Sequence, residues 1–199
     1  MNRTSRAFSS DSHPSISFRA IDGKMACRKI PVSSGWRFKN AKDPDSSFLD
    51  VAQFPTNIHL DLMKHGQILD PFLDANEDAV QWVGEESWDY QTTFPTPEYA
   101  SGDQVELLFE GLDTHATISI NGTDILKTNN MFIHYRVDIS GRLRDIAGEP
   151  NILAIRFESS WIVGKMMEIE AASKPLFCHN GDSSRLQVRK AQYHYGWDW

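Results

Sequence analysis

From about Val80 onward the chain breaks into short runs in which apolar and polar residues alternate, and a period of two buries one face only if the backbone is extended. In 104–110 Val105, Leu107 and Phe109 share a face opposite Glu106 and Glu110, and in 115–120 Ala116, Ile118 and Ile120 alternate with Thr117 and Ser119. Asn121-Gly122 supplies the two positive-φ positions of a type I′ turn, so 114–121 is expected to fold back on 123–127 as a hairpin. The run 131–139 sets Met131, Ile133, Tyr135, Val137 and Ile139 against Phe132, His134, Arg136 and Asp138. The run 151–158 sets Leu153, Ile155 and Phe157 against Ala154, Arg156 and Glu158. Short strands at regular spacing with turn residues between them specify a mostly-β chain, a jelly-roll-like β-sandwich rather than a helical bundle or an α/β fold. One or two short helices interrupt it. Thr56-Asn57 caps Ile58, Leu60, Leu62 and Met63, with Gly66 closing the turn, and Trp161–Ala172 contains no proline and several good helix formers.

At 199 residues the chain is long enough for one well-buried core. Its formal charge of -7, with Lys and Arg dispersed, argues against a groove that tracks nucleic-acid phosphates, and no apolar run approaches the roughly 20 residues of a membrane helix. Neither a nucleic-acid nor a membrane partner is expected. Cys27 and Cys178 stand alone, without a CxxC partner or metal-spaced histidines, so two free thiols are expected and neither a metal nor a cofactor. Residues 1–24 are Ser- and Arg-rich with no apolar core of a secretory signal, so they read as a disordered leader outside the fold, and the chain as intracellular and cytoplasmic.

Six tryptophans are present, and Trp197 and Trp199 bracket Asp198. An indole accepts the C–H face of a pyranose while a carboxylate accepts from its hydroxyls, so the trio has the vocabulary of a carbohydrate site. Two core indoles flanking a turn carboxylate would have the same sequence. Glycoside hydrolysis needs two carboxyl groups about 5 to 5.5 Å apart for retention. Here Glu85, Glu86, Glu106, Glu110, Glu158, Glu168 and Glu170 fall mostly at solvent-facing positions and read as hydrated faces. His134, His179 and His194 lack ligand spacing and read as surface or hydrogen-bonded residues.

Several longer motifs resemble one family. Leu69-Asp-Pro-Phe-Leu-Asp-Ala-Asn-Glu77, Val80-Gln-Trp-Val-Gly-Glu85, Trp88-Asp-Tyr-Gln-Thr-Thr-Phe94, Phe109-Glu-Gly-Leu-Asp-Thr114 and Asn129-Asn-Met-Phe132 are similar to the amino-terminal domain of β-mannosidases of glycoside hydrolase family two. Most specific are Asn180-Gly-Asp-Ser-Ser-Arg185 and Val188-Arg-Lys-Ala-Gln-Tyr-His-Tyr-Gly-Trp-Asp-Trp199. The resemblance implies that 25–199 form a sugar-binding sandwich of the galactose-binding-domain-like kind, preceding an immunoglobulin-like domain and a (β/α)8 barrel. In that family the barrel carries two glutamates for retaining, exo hydrolysis of terminal non-reducing β-D-mannose. Carried over, the resemblance makes Trp197, Asp198 and Trp199 the substrate-binding residues, one wall of the pocket. The chain ends where such proteins continue with Gly-Pro, so no catalytic residue is expected within it. It is expected to be inactive alone, with a β-mannoside or mannose-containing oligosaccharide and the missing barrel as its partners. A free-standing carbohydrate-binding module or a decayed gene product are the alternatives.

Overall fold

A computed structural model describes residues 15–19, 27–100, 102–171, 176–178 and 181–195, with the backbone alone at 17–19 and 27. Among these, ten strands form two antiparallel sheets. β1 (Ser15–Arg19), β2 (Cys27–Pro31), β6 (Gln104–Phe109) and β9 (Tyr135–Asp138) pair in the order β2-β1-β6-β9. β3 (Arg37–Asn40), β4 (Leu49–Asp50), β5 (Trp88–Phe94), β7 (His115–Ile120), β8 (Thr123–Asn129) and β10 (Asn151–Phe157) pair in the order β4-β3-β5-β10-β7-β8. Among the described residues, three α-helices, α1 (Ile58–Lys64), α2 (Asn76–Ala79) and α3 (Trp82–Glu85), lie between β4 and β5, and a fourth, α4 (Ser160–Glu170), follows β10.

The period-two parity decides which side chains form the core. Val105 and Leu107 from the four-stranded sheet and Ile118, Leu153 and Ile155 from the six-stranded sheet belong to one apolar cluster, which makes the pair a β-sandwich. The hairpin forms as expected. Asn121 and Gly122 take φ of 51° and 82°, and the Asn121 side-chain Nδ2 donates to the Arg142 carbonyl and to Oδ1 of Asn151. The α1 expectation also holds, down to its ends. Asn57 accepts from the Leu60 amide at 3.1 Å, and at the other end the Gly66 and Gln67 amides reach the carbonyls of Met63 and Leu62. That is the Schellman arrangement, and Gly66 fills it with φ of 65°.

Three expectations need correction. Ser15–Arg19, assigned to the leader, is a strand inserted between β2 and β6, with Ile16 fully buried. Five residues give too short an alternation to detect, and only pairing on both sides makes them a strand. The 131–139 run is extended only from Tyr135, because Asn130 accepts from the Phe132 amide and turns the chain, leaving Phe132 and Ile133 exposed. Helices outnumber the one or two expected. α2 and α3 are single turns too short to show a helical period.

Two core tryptophans satisfy their indole N–H groups locally: Trp36 donates to the Val32 carbonyl at 2.9 Å and Trp88 to the Val83 carbonyl at 3.2 Å. One carboxylate is fully buried among the described residues. Asp61, on α1, accepts from the Ala52 amide at 2.7 Å, the Thr56 hydroxyl at 2.6 Å and the Tyr90 hydroxyl at 2.8 Å. It ties the α1 connection to the six-stranded sheet.

Candidate functional site

Beyond β10 the chain builds a ledge that carries residues 181–195 across the sandwich. Ser159 starts α4: its hydroxyl accepts from the Ile162 amide at 3.1 Å and donates to the Gly84 carbonyl at 2.6 Å, joining α4 to α3. Asp182 accepts from the Ser184 amide at 2.9 Å and so caps a 3-10 helix, Ser183–Gln187. Lys165, on α4, pairs with Asp182 at 2.7 Å, and Glu168 accepts from the Ser183 hydroxyl. Contact between α4 and this 3-10 helix is close because residue 164 is glycine. A Cβ there would stand 2.7 Å from the Ser184 carbonyl oxygen.

Further along, Val188 and Ala191 are buried, and Arg189 bridges to Asn130 in parallel register. The Met131 amide donates to the Arg189 carbonyl at 3.1 Å, and the Ala191 amide points at the Met131 sulfur at 3.0 Å. Asp113, in the loop between β6 and β7, pairs with Lys190 and stands 3.2 Å from Nδ1 of His194. Three separate anchors, α4, the turn after β8 and Asp113, thus hold the segment that leads into Trp197.

The electrostatics follow from this packing. Burial alone would raise the Asp182 pKa, but the Lys165 hydrogen bond, those from Ser184 and the Lys165 charge outweigh it and hold the carboxyl at about 2. Its stabilisation is present above the ordinary carboxyl value and is lost as pH falls toward 2. Burial, with the Asp113 and Asp182 charges, pushes the Tyr195 phenol up to about 12, so it is neutral at physiological pH.

Three histidines shift the other way. Burial lowers the pKa of His59; it lowers that of His115 against an opposing Asp113 charge; and it lowers that of His194, helped by Lys190 and opposed by Asp113. Each folded value lies below 6.5, so between the lowered values and about 6.5 the unfolded chain binds more protons than the folded one. Stability is therefore expected to be full above pH 6.5 and to erode as pH falls below it. Thermal melts at pH 7.5, 6.5 and 5.5 measure this, and His115→Gln should flatten the decline. A melting temperature that rises on acidification through this range would contradict it.

The sequence-derived site residues divide clearly. Trp197, Asp198 and Trp199 lie outside the described residues, as does His179. His134 is exposed, and His194 is drawn to Asp113. Of the glutamates none is buried. Glu86 pairs with Lys42, Glu106 with Arg136, Glu110 with Lys29 and Glu168 with Lys165, while Glu158 accepts from the Ser87 hydroxyl. Cys178 is a free thiol, and the Cys27 side chain lies outside what is described. Among the described residues no group of His, Cys, Asp or Glu is placed to hold a metal ion, and no helix is long and apolar enough to cross a membrane. Asp113, Asp182 and Lys190 lie within motifs that carried the resemblance, yet no spacing in the sequence indicated that they would tie the ledge down.

The family model for the glycosyl hydrolase 2 galactose-binding domain-like fold matches residues 20–199. The chain belongs to that family. Its relatives include "Beta-mannosidase B" of Thermothelomyces thermophilus, 49% identical over 170 residues, which are 85% of this chain and 20% of that protein. "Beta-mannosidase B" of Aspergillus clavatus is 37% identical over 175 residues, 87% of this chain and again 20% of the relative. Among solved structures, the β-D-mannosidase from Dictyoglomus thermophilum superposes with a TM-score of 0.69 at 38% identity, over 84% of this chain and 20% of that one. This galactose-binding-like domain thus spans about a fifth of the length of the β-mannosidases it matches.

Proposed function

We propose that this domain is the amino-terminal part of a β-mannosidase-like retaining exo-glycosidase, in which Trp197, Asp198 and Trp199 form one wall of the pocket for a terminal, non-reducing β-D-mannose. The observation that carries this reading is the family match, which runs through the Trp-Asp-Trp segment itself, together with 49% identity to a β-mannosidase B. Asp198 accepts hydrogen bonds from mannose hydroxyls, and the indoles cover the C–H face of the ring and exclude water. The anchored ledge supports the reading, because a wall that faces a second domain must be held in one position before the two meet. The acid/base and nucleophile glutamates belong to the four-fifths of such relatives that this chain does not span, and alone it turns over no β-mannoside.

A chimera tests this. Residues 1–199 are joined in frame to the remainder of the Thermothelomyces β-mannosidase B in place of its own amino-terminal part. The chimera is expected to hydrolyse an aryl β-mannoside, the 199-residue chain to show no turnover above a heat-inactivated control, and Asp198→Ala to lower kcat/KM of the chimera about 100-fold. That factor corresponds to about 3 kcal/mol, the loss of one or two hydrogen bonds to a charged acceptor. An Asp198→Ala chimera within twofold of its parent would remove the trio from the site.

A further inference from the structure

The outer face of the six-stranded sheet carries an open depression of about 460 Å³, a size in the range of small-molecule sites. Strand register sets two rungs across four strands there, and all of their side chains but Gln91 line the depression. One rung runs Asp89, Arg156, Thr117, Lys127; the next runs Gln91, Ala154, Ser119, Asp124. Ala154 is the only short, non-polar side chain in the eight, and the lack of side-chain bulk above it opens the depression. Phe48 forms the wall on the β3 side, with Lys39 over its ring at 5.2 Å from the centroid.

The chemistry of this lining is specific. Arg156 donates from Nε and Nη2 to the two oxygens of Asp89 at 2.8 and 2.9 Å, which fixes both groups, lines the depression with them and leaves Nη1 unused by the pair. Among the described residues the hydroxyls of Thr117 and Ser119, the Asp124 carboxylate and the Lys127 ammonium have no protein partner. Donors and acceptors therefore alternate over a few ångströms beside an aromatic ring. With three carboxylates against two cations in the lining, a polyanion meets repulsion and a simple cation meets Arg156 and Lys127. A neutral molecule with many hydroxyls and an apolar face meets neither.

We propose that this sheet face is a second carbohydrate-binding site, one that takes a neutral hexose unit independently of the Trp197–Asp198–Trp199 segment. The sugar lays its C–H face toward Phe48 and exchanges hydroxyl hydrogen bonds with Asp89, Arg156, Thr117 and Ser119. The site does not depend on the function proposed above, because its residues lie on β5, β7, β8 and β10 and its ligand class follows from their chemistry.

The test uses the 199-residue chain, isotope-labelled, with β-1,4-mannobiose as the probe in amide chemical-shift titrations. Saturable shifts are expected at 117–119, 154–156 and 127. Ala154→Leu, which fills the depression from an outward-facing position, is expected to weaken them at least tenfold. Thr117→Val, which preserves shape and removes one hydroxyl, is expected to weaken them about threefold and keeps the test valid if the leucine variant fails to fold. Asp198→Ala is expected to leave them unchanged, so failure here and failure of the terminal trio are told apart. The proposal is overturned by shifts confined to residues after 181, by no shifts at all, by shifts that Ala154→Leu or Thr117→Val leaves intact, or by inorganic phosphate competing at lower concentration.

Discussion

Asp61→Ala is expected to lower the melting temperature of the chain by roughly 10 °C, equivalent to about 4 kcal/mol for a domain of this size. The carboxylate is fully buried and collects three donors, the Ala52 amide, the Thr56 hydroxyl and the Tyr90 hydroxyl. Alanine removes that acceptor from all three: the buried Tyr90 hydroxyl and the part-buried Ala52 amide lose theirs outright, the Thr56 hydroxyl keeps only a 3.3 Å contact with the Asn57 carbonyl, and a donor left unpaired carries its own desolvation penalty. Burial, followed by the Asp61 charge and hydrogen bond, raises the Tyr90 pKa far above its ordinary value, so Tyr90 stays a donor at any accessible pH. Asp61→Asn separates charge from hydrogen bonding. Its amide oxygen still accepts from Ala52 and its amide nitrogen donates to a reoriented Tyr90 hydroxyl, so it should lose less than half as much. Urea denaturation measures both variants, and an alanine variant within about 1 kcal/mol of the parent would show that the three bonds contribute little.

Gly164→Val is expected to release the ledge while the sandwich persists. The new Cβ would stand 2.7 Å from the Ser184 carbonyl oxygen and 3.2 Å from a methyl of Val188, and neither a backbone oxygen nor a packed methyl moves cheaply. Overpacking of this kind costs about 1 to 3 kcal/mol, and the gain in helix propensity over glycine is a few tenths of that. Gly164→Ala sharpens the comparison, since about 1 kcal/mol of propensity gain offsets a smaller clash. It should be less destabilising than valine. Hydrogen exchange reads the location: protection at 183–188 should fall in Gly164→Val while β5, β7 and β10 keep theirs. Uniform loss across both sheets would mean that the ledge and the sandwich unfold as one unit.

Much of the fold was legible because its signal is local. The alternations at 104–110, 115–120 and 151–158 needed only the pleat of a strand, Asn121-Gly122 needed only the backbone freedom of a type I′ turn, and α1 announced itself by Asn57 and Gly66. The family to which the chain belongs was legible from ordered motifs, while Trp197, Asp198 and Trp199, singled out by residue type, lie outside the described residues. What the sequence could not supply was any relation between groups far apart in the chain. Ser15–Arg19 is a strand because β2 and β6 flank it, Asp61 is a hub because Tyr90 lies 29 residues away, and Asp113 meets Lys190 across 77 residues. The parity that put Ala154 and Arg156 on the outer face was readable; the depression between the two rungs was not. Period and turn chemistry act over a few residues and so are written in sequence. Register, burial and ion pairing depend on which strands become neighbours, and the closing of the sandwich decides that.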